Sequence, residues 1–285
     1  MTRPFPTPDA DLSTVLVKAP GSQPGCWAGA STAALDDDGE FLIAYRLRTP
    51  DRRGSQVAVA KMNRALRLRT VCTLEKERFA AESLERPALV RADHGWRLYV
   101  SCATPGTKHW RVDALEAADP AALGAAQPTT VFPGSAQVGV KDPVVRRTKY
   151  GWEAWVCCHP LDEPGEEDRM TTAYATSDDG LRWRWHGADL AGRPGAWDAR
   201  GARVTAVLPD GRASYDGRAS KEENFLERTG VAEPGAAGAL LARDGGPVAN
   251  VRYLDVVTTP DAYVLFFEQP RVDGTHDLCI QRVPR

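Results

Sequence analysis

The sequence predicts an all-β fold, a five-bladed β-propeller of four-stranded antiparallel blades, and three observations carry that prediction. A hairpin unit recurs along the chain, most fully at VKDPVVRRTKYGWEAWV: an acid beside a proline, a short apolar strand, a polar turn with glycine, and an aromatic-rich strand. The turns, marked by Gly39, Gly95, Gly151, Gly211 and Asp261, return at intervals of about 50–60 residues, the spacing of a propeller blade. Helical periodicity is scarce. Its best stretch, 113–126, is alanine-rich but broken by Pro120 and predicts no more than a surface turn of helix.

Taken in order, residues 1–12 are proline-rich and predict an irregular segment, while 13–18 (STVLVK) form a strand with no partner in the first repeat. Such a strand is expected to complete the last blade, in the same sheet as 263–268 or its neighbour, which removes an exposed sheet edge. The hairpins then follow. They are 33–35 with 41–45, 88–90 with 96–101, 143–146 with 152–156, 204–208 with a strand into Tyr215, and 254–257 with 263–268. A third strand is predicted after each, at 56–62, 110–115, 172–177, 229–232 and 277–283. The whole of 1–285 reads as one domain, with no flexible linker between two cores.

A net charge of −2 with 26% charged residues describes an ordinary surface and gives no basic bias of the kind nucleic acid requires. The N-terminus has no apolar stretch of signal-peptide length and no later run approaches a membrane span, so a cytoplasmic location without membrane association is expected. Cys102, Cys157 and Cys158 fall in apolar strand segments without metal spacing, which predicts buried free thiols. Neither a cofactor nor a metal is expected: Cys157, Cys158 and His159 are adjacent on a strand and point to alternate faces.

The phrases YATSDDGLRW, VKDPVV and a strand ending in YDGR resemble the five-bladed propellers of glycoside hydrolase families 43, 32 and 130. The resemblance spans roughly residues 26–283 in layout but only these short phrases in wording. It implies an axial funnel with substrate at the end where the inner strands begin, and acids supplied by a KD or DP step at those starts. It also implies activity on a glycosidic bond, by hydrolysis or, with inorganic phosphate, by phosphorolysis. A sugar-binding or acidic-metabolite-binding propeller without turnover is the other class. Two departures stand out. The first inner strand, WAGAST, has no acid, and the second repeat reads Glu85-Arg86-Pro87 where the phosphorylase-like relatives often read E-D-P.

Glycosyl transfer needs facing carboxylates, one to protonate the leaving oxygen and one to activate water or attack the sugar. The candidates are Glu85, Asp142 and Asp198, each just before an inner strand and expected to share one funnel, with Asp142 as the charged base or stabiliser and Glu85 as the acid. Glu227, in the loop after YDGR, is the reserve acid. The same positions also suit turn caps or ion pairs with neighbouring arginines. Basic residues gather at the mouth: Arg46, Arg48, Lys108, His109, His159 and Arg169 near hairpin ends, with Arg86, Lys141, Arg200 and Arg203 beside the acids. Arg46, Lys108, His159 and Arg203 are expected to open into one pocket with Asp142 and to bind an anionic group. Asp216 and Arg218 suit either a sugar hydroxyl or a turn-stabilising pair, and Trp27, Trp110 and Trp197 suit either stacking on a sugar or blade packing. The substrate partner is therefore a small sugar or oligosaccharide.

Overall fold

A computed structural model of the chain describes residues 4–235 and 239–285. It is all-β. After β1 (Thr14–Val17) come β2 (Trp27–Leu35), β3 (Phe41–Thr49), β4 (Arg53–Met62) and β5 (Leu68–Glu75), paired antiparallel in chain order. The next sheet holds β6 (Leu84–Ala92), β7 (Gly95–Ala103), β8 (Trp110–Ala117) and β9 (Thr129–Phe132). A third holds β10 (Val138–Thr148), β11 (Gly151–Pro160), β12 (Thr171–Ser177) and β13 (Arg184–Ala191). A fourth holds β14 (Gly201–Val207), β15 (Ala213–Arg218), β16 (Arg228–Pro234) and β17 (Leu240–Ala242). Finally β18 (Arg252–Thr258), β19 (Ala262–Pro270) and β20 (His276–Pro284) pair in order, and β1 adds antiparallel to β20, as its sequence predicts. A single parallel pair, Trp27 with His276, joins this last set to β2.

Every successive pair of sheets shares an apolar core. Leu42 and Val57 meet Leu89 and Leu98; Tyr99 and Phe132 meet Val140 and Val156; Trp155 meets Val204 and Tyr215. Leu208 and Val231 then meet Leu254 and Phe267, and Phe266 and Ile280 return to Ala28 and Ile43 in the first sheet. The stretch at 113–126 resolves into the end of β8 and a 3-10 turn, Pro120–Gly124, because Asp119 caps the Ala121 amide and proline starts the turn. The outer strands β5, β9, β13 and β17 have weak sequence signals, being short or largely exposed.

The turn S-D-D-G-L-R-W is structural. Ser177 Oγ accepts the Gly180 amide at 2.8 Å, Asp179 accepts the Leu181 and Arg182 amides, and Tyr99 of the preceding sheet donates to the Gly180 carbonyl. All six cysteines are free thiols. Among the described residues no helix is long and apolar enough to cross a membrane, and no cluster of His, Cys, Asp or Glu is arranged to hold a metal ion.

The innermost strands do not run smoothly. Each carries a break in register, between Gly29 and Thr32, Glu85 and Pro87, Lys141 and Val144, and Arg252 and Asp255 near the start of the strand, and between Val204 and Ala206 past the middle of β14. Three residues inside these bulges, Ala30, Asp142 and Tyr253, adopt left-handed backbone with φ of 49°, 51° and 52°. A bulge inserts a residue into one strand and re-aims the side chains around it. Left-handed backbone without glycine costs roughly 1–3 kcal/mol per residue and persists only where surrounding contacts impose it.

Candidate active site

The starts of the inner strands surround a cavity of about 390 Å3. Its wall includes Glu85 and Glu227, the cations Arg46, Lys108, Lys141, Arg203, Arg218 and Arg252, and the aromatic groups Trp27, Trp110, Phe225 and Tyr253. A larger groove of about 830 Å3 lies away from this wall, at the hairpin turns around Tyr150, and its lining has no fully buried acid.

A chain of alternating charges runs around the cavity. Glu85 contacts Arg46 at 3.4 Å; Arg46 donates to Glu268 at 2.6 Å; Glu268 accepts from Arg252 at 2.9 Å; and Arg252 approaches Glu227 at 2.8 Å. Arg218 closes on the other oxygen of Glu227 at 2.6 Å and reaches Asp168, which Arg200 also holds. Glu268 and Glu227 have almost no solvent exposure, so each would be prohibitively costly as an ion without these partners. Burial alone would raise Glu227, but Arg252, Arg203 and Arg218 outweigh it and hold its carboxyl at about 2. Glu268 is depressed further by Arg46 and Arg252 against the same desolvation.

A second cluster lies under the floor. Arg203 donates to Asp142 at 2.9 Å, to the Tyr253 hydroxyl at 2.8 Å and to Asp216 at 2.7 Å. Lys141, 4.6 Å above the Trp110 ring centre, stands 3.5 Å from Asp142. Burial favours the neutral form of Asp142, yet Lys141, Arg203 and Arg86 together bring its carboxyl down to about 2. Desolvation prevails at Asp216, which is raised. Arg86 is itself buried, donates to the Thr205 carbonyl at 2.5 Å and is 3.9 Å from Asp255, whose carboxyl burial pushes up to about 6.

His159 lines the cavity as a neutral ring. Its Nδ1 donates to the Glu167 carbonyl at 2.8 Å, because a carbonyl only accepts, which leaves Nε2 a bare acceptor without a partner. Desolvation, reinforced by Lys141, lowers its pKa to about 3.

Of the residues singled out from sequence, Arg46, Glu85, Lys108, Lys141, His159, Arg203, Arg218 and Glu227 meet at the cavity. Asp142, Arg86 and Asp216 are buried and absent from its wall, so Asp142 supports the floor rather than opening into the pocket with the four basic residues. Arg48 stands beside the rim, its guanidinium over Trp27 and Phe225. The expectation of three acids in one funnel is corrected at Asp198. Its carboxylate turns into the fourth sheet, where Tyr215 donates to it at 2.7 Å and Arg193 neutralises it. Trp197 stacks on Tyr215 in the same sheet, whereas Trp27 and Trp110 reach the cavity. His109 bonds to Thr104, and Arg169 is held by Asp162 and the Glu166 carbonyl, both away from the wall. Arg200 is spent on Asp168 and Glu166.

Sequence reasoning missed Glu268, Arg252, Tyr253 and His276. Arg252-Tyr253 occupies the inner-strand start that Lys141-Asp142 occupies two repeats earlier, so aligning the repeats would have revealed it. Glu268 has no such signal, since it comes from the second strand of its hairpin. Its carboxylate fills the space beside Gly29, where a Cβ would lie 2.5 Å from Oε2. The acid lacking from the first inner strand is thus matched by one arriving from the last sheet.

No protein-family profile matches this chain, and no curated protein matches it in sequence. Solved structures do share its fold. They include a thermostable family-43 glycoside hydrolase at 10% identity, with a TM-score of 0.69 over 90% of this chain and 89% of that one. Another is an α-L-arabinofuranosidase from Lactobacillus brevis, at 13% identity and a TM-score of 0.67 over 96% and 95% of the two chains. A third is a β-1,2-mannobiose phosphorylase from Listeria innocua, at 12% identity and 0.60 over 97% and 92%.

Proposed function

We propose that this chain is a single-domain, five-bladed β-propeller enzyme that hydrolyses a glycosidic bond of a small sugar substrate held in the axial cavity. The observation that carries the reading is that Glu85 and Glu227 stand at two points of one chain of buried charges on the wall; Glu167 and Asp168 also line it, and Asp168 is engaged by Arg200 and Arg218. The surroundings of Glu85 and Glu227 differ. Glu227 is clasped by two guanidiniums and stays ionised, the state required of a base or of a group that stabilises positive charge at the anomeric carbon. Glu85, also buried, has one ion-pair contact, at 3.4 Å, against the two of Glu227, which leaves it the less engaged of the two and the one placed here as the general acid. Asp142, ionised beneath the floor, orients Arg203 and Tyr253 and adds negative potential below the reacting carbon. The fold shared with hydrolases and a phosphorylase supports glycosidic chemistry as the reaction class.

Phosphorolysis is the second reading, and Lys108 favours it. This exposed lysine lies on the cavity wall with Lys141, and among the described residues no carboxylate comes within ion-pairing distance of it, leaving it open to a phosphate. A screen of aryl glycosides and sugar phosphates, with and without inorganic phosphate, separates the two. On whichever substrate turns over, Glu85→Gln is expected to lower kcat by about 10²–10⁴-fold while the protein stays folded and binds substrate. Near-normal turnover in both Glu85→Gln and Glu227→Gln would refute the roles given to these two carboxylates, whereas binding without turnover on any substrate of the screen would leave a sugar-binding propeller.

A further inference from the structure

The guanidiniums around the cavity are matched to carboxylates, with one exception. Arg46 has Glu268, Arg252 has Glu227 and Glu268, Arg203 has Asp142 and Asp216, Arg218 has Glu227, and Arg53 has Glu82. Among the described residues no carboxylate lies within ion-pairing distance of Arg48. Its Nε is shielded from solvent with no hydrogen-bond partner. Its guanidinium carbon lies 4.5 Å from the centre of the Trp27 ring and 5.7 Å from that of Phe225, two groups of the cavity wall. Desolvation lowers its pKa, and repulsion from Arg46, Arg53 and Arg252 adds to that against the attraction of Glu85. A half-buried cation held among three others without its own counter-ion is an uncompensated charge. With its flat face taken by Trp27, what remains is the in-plane N–H edge, the geometry that grips a carboxylate or phosphate through two parallel hydrogen bonds.

We infer that Arg48, seated on Trp27 and Phe225, receives an anionic group carried on the sugar, so that the substrate is an acidic sugar, either a uronate or a sugar phosphate. This deepens the reading of the axial cavity and rests on it. The Phe225 ring is apolar and 43% exposed at the mouth, so a bound sugar ring against it would further exclude water from the ion pair.

Calorimetric titration of the full chain tests this with glucuronic acid against glucose, galacturonic acid against galactose, glucose 6-phosphate, and inorganic phosphate alone. At least one acidic sugar is expected to bind ten-fold or more tightly than its neutral parent. Arg48→Gln should reduce that ratio to within two-fold without weakening the affinity for the neutral sugar and without lowering the melting temperature, and Arg48→Lys should restore part of it. A uronate preference identifies a carboxylate, and a glucose 6-phosphate preference identifies a phosphate on the sugar. The inference fails if no acidic sugar binds, if neutral parents bind equally well, if Arg48→Gln keeps the discrimination, or if inorganic phosphate alone reproduces it. Glu85→Gln separates the two claims. Loss of turnover on a neutral glycoside in that variant, with no acid preference at Arg48, leaves the hydrolase reading standing alone.

Discussion

Two kinds of buried carboxyl share this molecule, and they respond to pH with opposite sign. Asp142 and Glu227 are held at about 2 by their cations, below the unfolded value near 4, so the stability they contribute is present above pH 4 and is lost as pH falls through 2. Asp255 runs the other way. Its carboxyl is raised to about 6 by burial that Arg86 at 3.9 Å only partly offsets, so its contribution is full below pH 4 and fades as pH rises through 6. Urea unfolding at pH 4.5 and pH 7 should therefore show Asp255→Asn removing a decline on the order of 2 kcal/mol. The Ala33 amide keeps an acceptor in that variant, since the amide oxygen replaces the carboxylate oxygen. An unchanged pH slope would show that burial does not raise the Asp255 carboxyl above its unfolded value.

At the scale of the strand, the bulges and one glycine make the site. Regular alternation would turn successive side chains of β2 and β10 to the two faces of their sheets, but the register breaks redirect Ala30 and Asp142. Gly29 is required for a different reason. A Cβ there would meet not only Glu268 Oε2 but also its Cγ at 2.6 Å and Cβ at 2.7 Å, too close to the backbone of β19 for a rotamer change to relieve. Gly29→Ala is expected to cost about 1–3 kcal/mol in urea unfolding and to displace Glu268 from Arg46 and Arg252. Wild-type stability and activity in that variant would mean that Glu268 is not needed where it sits.

On the scale of the whole molecule, the N-terminal segment ties the first part of the chain to the last. Thr14, Val15 and Val17 pair with Ile280, Cys279 and Leu278 of β20, and the side chains of Gln281 and Asp277 accept the amides of Asp9 and Ala19. Phe5 is buried against Leu265 and Phe267. Removing residues 1–18 leaves β20 without its edge partner and an apolar hole where Phe5 packs. The expected loss is roughly 3 kcal/mol or more, with concentration-dependent association in light scattering as the free edge finds other chains. A truncated chain as stable and as monodisperse as the full one would show that β1 is an accessory.

The all-β class, the hairpin repeat, the third strands and the return of 13–18 to β20 were legible from sequence, because period-2 alternation and turn residues are local properties. The sequence also located most of the basic residues that meet at the cavity, since they cluster near inner-strand starts and hairpin ends. Which acids join them depends on long-range packing. Asp198 precedes an inner strand as Glu85 does, yet Tyr215 and Arg193 draw it into its own sheet. Asp142 goes beneath the floor because its strand bulges there with a left-handed residue. Glu268 enters from a neighbouring strand because glycine leaves room opposite it. Side-chain direction at a bulge and the space beside a glycine depend on what packs across the axis, and strand periodicity carries no record of either.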